Sequence, residues 1–263
     1  MPALDQQQPA GGVTHDRTGA YDRFAGLILG LRGSHVLTLS LPGEDCSRVH
    51  ALPTCPRCAS ALREPGLWSS AWRCPRHGAV APYHVLTHTG PEAVEHVVSR
   101  PGVPLWLASG LPPGWVCSGF AYAGDDRTGA KATVTAMSGP SPLGGPAELF
   151  VIAEEPGVGL GSRHAGLAEA DPGDGFDSGA ADAKVIAASH PTALWCLPAA
   201  REGAVFVGEA KGLWLWALVW PETAGVLMYD GVVLTDLRDS ATMLDLDFGS
   251  VSPRLSEVPE TLA

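Results

Sequence analysis

The strongest hydrophobic pattern in the chain is the run Leu-Trp-Leu-Trp-Ala-Leu-Val-Trp at residues 213–220. In a β-strand, alternate side chains point to opposite faces of the sheet. Both faces of this run would be apolar, one with Trp214, Trp216, Leu218 and Trp220, the other with Leu215, Ala217 and Val219. A strand with two apolar faces is covered on both sides. The run therefore predicts a central strand, with Trp216 in the core.

Weaker runs of the same kind predict a mainly β body downstream of residue 111. Segments rich in β-branched and apolar residues between turn-forming residues are typical of strands. They occupy residues 116–123, 131–137, 148–153, 184–188, 193–197 and 204–207. By contrast, residues 156–183 are rich in Gly and Asp, have no period, and are predicted to form a long loop.

Two more strands are predicted after the central one. Residues 226–229 follow a Pro-Glu-Thr-Ala-Gly turn and would return as an antiparallel hairpin. Asp230-Gly231 then offers a second tight turn into residues 232–235. A helix over residues 230–239 is the alternative, although the β-branched Val232, Val233 and Thr235 disfavour it.

One short helix is predicted over residues 91–99. Thr89 is a candidate N-cap, and Pro91 suits the first helical turn. Pro101 would end the helix. Its apolar face would contain Ala93, Val94, Val97 and Val98.

The cysteines indicate a metal site. Cys55-x2-Cys58 is followed, after fifteen residues, by Cys74-x2-His77. Zinc prefers tetrahedral sets of Cys and His, and two such knuckles can deliver four ligands to one point. Three Cys and one His close the coordination sphere, so the spacing predicts one structural Zn²⁺ per chain.

Residues near the four predicted ligands either shape the turns of the two knuckles or offer other possible ligands. Gly78 follows the second knuckle, where a tight turn needs it, while Ala59 stands where the first knuckle often has Gly. Cys46 and His84 are possible substitute ligands, although the four-residue set is complete without them.

These elements indicate an α+β protein: a small zinc ribbon followed by a mainly antiparallel β domain with few short helices. We predict a disordered or loosely attached extension at residues 1–50, the ribbon at 51–88, the β domain at 89–255 and a C-terminal tail at 256–263. Residues 36–41 alternate like a strand but have no obvious partner nearby.

The composition of the chain limits the partners it can bind and the cellular compartment in which we expect it. Residues 51–90 hold four arginines and one glutamate, whereas the whole chain has a formal net charge of −11. An acidic body repels phosphate backbones and anionic membranes. The longest apolar run near the N-terminus, residues 24–31, is far shorter than the ~20 residues of a membrane span. Clustered cysteines suit metal binding in a reducing compartment, so we expect a cytoplasmic protein.

Catalytic candidates in the β domain are sparse. Gly157-Val-Gly-Leu-Gly161 looks like a phosphate loop but lacks the established spacings, and Arg163 and His164 beside it are predicted to lie in a solvated loop. Asp125 and Asp126 could act as acids, bases or cation ligands, but their position favours a turn. The six cysteines include two in apolar strands, Cys117 and Cys196, which we expect to be buried.

Several motifs in the ribbon and in the β domain form a recognisable set. They are Cys-Pro-Arg-Cys at 55–58, Gly-Leu-Trp at 66–68, Leu-Pro-Pro-Gly-Trp at 111–115, Ala-Gly-Asp-Asp-Arg at 123–127, Ser-Gly-Pro at 138–140, Pro-Leu-Gly-Gly at 142–145, Glu-Glu-Pro-Gly-Val-Gly-Leu-Gly at 154–161, Gly-Leu-Trp-Leu-Trp at 212–216 and Thr-Asp-Leu-Arg-Asp at 235–239. Over about residues 54–255 the chain resembles an uncharacterised family of actinobacterial proteins with an N-terminal zinc ribbon and a domain of unknown function. The resemblance implies no activity.

We therefore expect a zinc-binding protein with a non-catalytic role, in which the ribbon docks a protein partner or serves regulation. One alternative is an enzyme with a site near the 154–164 loop and Asp125 or Asp126. Another is nucleic-acid contact through the ribbon arginines Arg57, Arg63, Arg73 and Arg76. An enzyme should show one cavity where the loop meets the Asp125–Asp126 turn, and a docking module should expose an apolar patch.

Overall fold

The computed structural model describes residues 52–67, 69–198, 202–239 and 246–257. All of them belong to one compact unit, Arg48–Ala263. The predictions for residues 1–50, including the strand at 36–41 and Cys46 as a substitute ligand, fall outside the described residues. The predicted tail at 256–263 is described only as far as Glu257.

The described part of the chain contains twelve strands and two α-helices. In chain order the strands are β1 Arg73–Cys74, β2 Gly78–Ala79, β3 Tyr83–Val85, β4 Trp106–Ser109, β5 Val116–Asp125, β6 Gly129–Pro140, β7 Pro146–Glu154, β8 Ala183–Ala187, β9 His190–Leu197, β10 Ala204–Ala210, β11 Leu213–Trp220 and β12 Val233–Asp236. The helices are α1 Pro91–Val98 and α2 Leu160–Ala165, with 3₁₀ helices at Glu222–Tyr229 and Pro253–Leu255.

The ten strands from β3 to β12 form one sheet in the order β3-β5-β6-β7-β11-β10-β9-β8-β12-β4. Every neighbouring pair is antiparallel except β8 and β12. The expected class, a mainly antiparallel β protein with few short helices, is confirmed. β3 lies within the range predicted for the ribbon, yet it pairs with β5. The ribbon segment is thus joined directly to the sheet.

The central strand is β11, as predicted, because β7 and β10 occupy its two edges. Trp216, Leu218 and Trp220 point into one core cluster, and Leu215, Ala217 and Val219 into the other. The first face is covered by α2 and the C-terminal 3₁₀ helix, and the second packs with residues of β4, β8 and β12. Both covers come from this chain.

The predicted hairpin after β11 is wrong. Residues 226–229 belong to the 3₁₀ helix Glu222–Tyr229. A returning strand has no edge to join, because β7 and β10 already flank β11. Ala224, Leu227 and Met228 instead follow a helical spacing and are buried in the core. Strand β12 does form, but it pairs with β4 and β8 rather than with the preceding segment.

Helix α1 forms where predicted and buries Ala93, Val94 and Val97. The predicted cap is wrong: Gly90 occupies the N-cap, and the Thr89 hydroxyl donates to the carbonyl of Gly249 at 2.6 Å. The Thr89 hydroxyl is thus bonded to a distant part of the chain rather than to the first turn of α1. The buried Cys117 agrees with expectation, whereas Cys196 is exposed on β9.

Candidate metal centre

Two tight turns position the four predicted ligands. In the first, the Ala59 amide donates to the Cys55 carbonyl at 2.9 Å, and Ala59 adopts a left-handed φ of 55°. In the second, the β1–β2 hairpin pairs Cys74 with Gly78, whose φ is 71°. Each knuckle therefore ends in a left-handed residue, which is the geometry that usually selects Gly.

The donor atoms of Cys55, Cys58, Cys74 and His77 all lie within 4.8 Å of one another. The Sγ atoms of Cys58 and Cys74 are 3.6 Å apart. His77 Nδ1 lies 3.5 Å from Cys55 Sγ and 3.6 Å from Cys74 Sγ. Tetrahedral zinc with its usual bond lengths sets sulfur–sulfur edges of ~3.8 Å and sulfur–nitrogen edges of ~3.6 Å. The cluster is compatible with a metal site, and the described cysteines form no disulfide.

The cluster lies in a small apolar pocket with Leu62 and Val80 against it. Burial raises the pKa of the Cys55 thiol to about 12. Burial, followed by the charges of Arg57 and Arg76, lowers the pKa of His77. Burial also raises the pKa of the Cys58 thiol, but hydrogen bonds with Ser60, Cys74 and Cys55 outweigh it and hold that pKa below its usual value. A neutral imidazole and deprotonated thiols are the forms that bind a metal ion.

Polar contacts join the ribbon to the β domain at several places within the described residues. Arg57, inside the first knuckle, donates from Nε to the carbonyl of Val158 at 3.3 Å and from Nη2 to that of Gly157. Arg127, in the β5–β6 turn, donates to the Ser70 carbonyl at 3.0 Å. Thr54 and Tyr83 form a backbone bridge. Of the four arginines proposed to meet nucleic acid, Arg57 is thus engaged with the β domain, and Arg73 Nε donates to the Ser69 hydroxyl at 3.2 Å.

The amides of the Gly-rich loop bind the carboxyl group of a residue in the same chain. The buried Glu154 carboxylate accepts the amides of Leu160 at 2.7 Å and Gly161 at 3.2 Å. Burial raises the pKa of Glu154 to about 7, although these two hydrogen bonds lower it. The amides that resemble a phosphate cradle are therefore occupied by a carboxylate.

The loop prediction for residues 156–183 was partly wrong. Helix α2 forms within it, and Arg163 and His164 are buried there rather than solvated. Arg163 lies over the Tyr83 ring and donates to the Glu257 carbonyl at 2.7 Å. The ring of His164 packs edge-on against Phe150. A helix of six residues gives almost no periodic signal, so only the buried aromatic neighbours, distant in sequence, reveal it.

Asp125 and Asp126 have structural partners. The Asp125 carboxylate accepts the amides of Arg127 and Thr128 at 3.1 and 2.7 Å, closing the β5–β6 turn. Burial raises the pKa of Asp125, but the hydrogen bond from the Thr128 hydroxyl at 2.8 Å and those from the two amides outweigh it and hold the pKa below its usual value. Asp126 pairs with Arg100 at 3.0 Å. This supports the turn interpretation.

In the described part of the chain, the two proposed catalytic segments line different cavities. Asp125 and Asp126 line a cavity of about 400 Å³ together with His96 and Arg100. The loop contributes Gly159 to a different cavity of about 240 Å³, beside Arg57 and His77. His84, the other substitute ligand considered, stacks on Tyr122 at 4.8 Å and is not part of the cluster.

The fold and the cluster define a mainly antiparallel β protein with a Cys₃His site that could bind a metal ion. The chain belongs to the family of unknown function DUF6758, whose model matches residues 49–255. No curated protein and no solved structure shows significant similarity to the chain. Within the described residues, no helix is long and apolar enough to cross a bilayer.

Proposed function

We propose that Cys55, Cys58, Cys74 and His77 hold one structural zinc ion, and that the ribbon is a non-catalytic, cytoplasmic docking module for a protein partner. The observation that carries the proposal is the convergence of four soft and borderline donors at tetrahedral spacing. Three thiolates favour zinc over hard cations such as Mg²⁺ or Ca²⁺. Four protein ligands leave no position for a catalytic water.

The docking role is supported by the hairpin that connects the two knuckles. Gly66 and Ser69 pair through their backbones, and Leu67 between them is fully exposed. At the tip of a tight turn, this large apolar side chain is accessible to a partner that would bury it. The residues considered for catalysis have structural partners instead: Asp125 closes the β5–β6 turn, Asp126 pairs with Arg100, and the amides of the Gly-rich loop bind Glu154.

Zinc content provides the direct test of the metal. Purified wild-type protein should contain about one zinc per chain, and the double variant Cys58→Ser, Cys74→Ser should contain almost none, because two of four ligands are gone. Elemental analysis after gel filtration measures this. The double variant Cys117→Ser, Cys196→Ser is the matched control and should keep its zinc. Zinc-free wild type, or zinc retained by the first variant, would contradict the proposal.

The docking surface is tested by comparing two exposed leucines. Leu67 is on the ribbon, and Leu143 is 67% exposed on the β6–β7 turn of the sheet. Affinity capture from the native cytoplasm should recover a partner with wild type and Leu143→Glu, and lose it with Leu67→Glu, because a charge at a buried interface position is costly.

Retention of the partner by Leu67→Glu would reject the hairpin as the docking surface. A nucleic acid recovered instead, with affinity that falls steeply as salt rises, would favour the alternative role of Arg63, Arg73 and Arg76. These three arginines lie on the exposed part of the ribbon.

A further inference from the structure

Arg57 connects the metal site to a distant part of the chain. It lies between two predicted ligands, Cys55 and Cys58, and its guanidinium bonds to the carbonyls of Gly157 and Val158. A Cβ added to Gly159 would lie 2.9 Å from Arg57 Cγ, so the loop packs closely on the arginine stem. The contact spans about a hundred residues of sequence.

The loop that Arg57 contacts is in turn hydrogen-bonded to the segment that follows α2. This segment, residues 166–182, is called the strap. The Gly157 amide donates to Asp171 Oδ1 at 2.7 Å, and the same oxygen accepts the Trp214 indole N–H at 2.8 Å. The Ser162 hydroxyl donates to the Ala170 carbonyl at 3.0 Å. Asp171 is therefore the point where the loop, the strap and the sheet meet.

The other attachments of the strap are concentrated at its two ends and at Phe176. At the first end Leu167 packs against the core, and at the last Asp182 donates its amide to the Leu194 carbonyl at 3.0 Å and accepts the Cys196 amide at 2.8 Å. Phe176 packs edge-on between Trp195 and Trp214, with ring centroids at 5.7 and 5.5 Å. The Trp195 indole donates to the Gly179 carbonyl at 3.1 Å. No strap residue belongs to a strand, and most of residues 173–180 are exposed. A segment with so few buried contacts opens at low free-energy cost.

We propose that the metal ion keeps the strap closed through Arg57, so that loss of the ion releases the strap and uncovers Trp195 and Trp214. The inference rests on the proposed metal binding. Ligation of Cys55 and Cys58 fixes the backbone of the turn that carries Arg57, and small metal sites lose their local fold with the ion. Without a fixed Arg57 the loop loses two charge-assisted hydrogen bonds, and Asp171 loses the amide that positions it. In this arrangement, the exposure of Trp195 and Trp214 depends on whether the metal ion is bound.

Hydrogen–deuterium exchange of the full chain tests the coupling. Zinc-saturated Arg57→Ala and wild type stripped by a chelator should both exchange at least ten-fold faster at Gly157 and across residues 166–182 than zinc-saturated wild type. Strands β6 and β7 should keep their protection. Arg127→Ala is the matched control, since Arg127 also joins the sheet to the ribbon but outside the knuckle. It should leave the strap unchanged. Zinc-saturated Asp171→Ala, which leaves the ribbon untouched, should also loosen the strap.

The zinc content of each sample distinguishes a failure of zinc binding from a failure of the coupling between zinc and the strap. Wild type that binds no zinc rejects the proposed metal function itself. Strap protection that is unchanged in zinc-loaded Arg57→Ala, or in stripped wild type, overturns the coupling while leaving zinc binding intact. Faster exchange throughout β6 and β7 would also overturn it, because the ion would then support the whole fold rather than the strap. If Arg57→Ala fails to retain zinc, normal strap protection in zinc-loaded Asp171→Ala overturns the coupling.

Discussion

Replacing Trp216 by alanine should lower the free energy of unfolding by roughly 3–5 kcal/mol, the usual range for deleting a large aromatic side chain from a core. Trp216 lies on the central strand and is fully buried. Helix α2 packs directly on its ring, because a Cβ added to Gly161 would lie only 2.4 Å from the indole. Neither the sheet nor the helix can collapse into the space that the indole leaves.

Chemical denaturation followed by far-UV circular dichroism measures this loss, with zinc at saturating concentration so that the ribbon stays constant. Trp195→Ala is the matched control, because Trp195 is only partly buried on β9. It should cost well under half as much. Equal losses in the two variants, or a loss below ~1 kcal/mol for Trp216→Ala, would mean that β11 is not the strand on which the core depends.

Glu154 should make the wild-type protein less stable as the pH rises from 5 to 8, and Glu154→Gln should remove that dependence. Burial holds the pKa of Glu154 at about 7, above the ordinary value of 4.5. The folded chain therefore binds this proton more tightly than the unfolded chain does. The resulting stability is fully present below about pH 4.5 and is lost as the pH rises through 7. The expected difference between pH 5 and 8 is about 2–3 kcal/mol.

The comparison between the two proteins isolates this one carboxylate. All other ionisable groups are the same in both proteins, so their contribution cancels when the pH dependence of one is subtracted from that of the other. Free energies of unfolding at pH 5, 6, 7 and 8 with zinc present give the measurement. Parallel curves would show that the amides of Leu160 and Gly161, rather than burial, set the pKa of Glu154.

Both expectations concern the same layer of the molecule. Glu154 ends β7, Trp216 lies on the neighbouring strand, and α2 lies over both. The glycines at 159 and 161 allow α2 to approach this closely, since any Cβ there meets Arg57 or the Trp216 ring. The Gly-rich loop is thus explained by packing and by an internal carboxylate. The loop resembles a phosphate loop because both need backbone amides that are free to bind an anionic group and glycines whose lack of a side chain allows close approach.

Signals that depend on a few neighbouring residues were readable from the sequence alone. The two knuckles are such a case, because the spacing within each pair and the left-handed position after it are local properties. The central strand is another, since alternation of Trp216, Leu218 and Trp220 with Leu215 and Ala217 states which faces are buried. The antiparallel β class follows from many short apolar runs between turns. These features are encoded over ten to twenty residues, where periodicity and turn chemistry act directly.

Other features depended on partners far along the chain. Residues 226–229 had the composition of a strand, but β7 and β10 had already taken the edges of β11, so a helical turn formed instead. Thr89 could cap α1, yet Gly249 accepts its hydroxyl. The anion for the Gly-rich loop proved to be Glu154, and the partner of Arg57 lies about a hundred residues away. Which hydrogen bond a side chain makes among several possible ones is decided by what the fold brings within 3 Å, and only the tertiary structure contains that information.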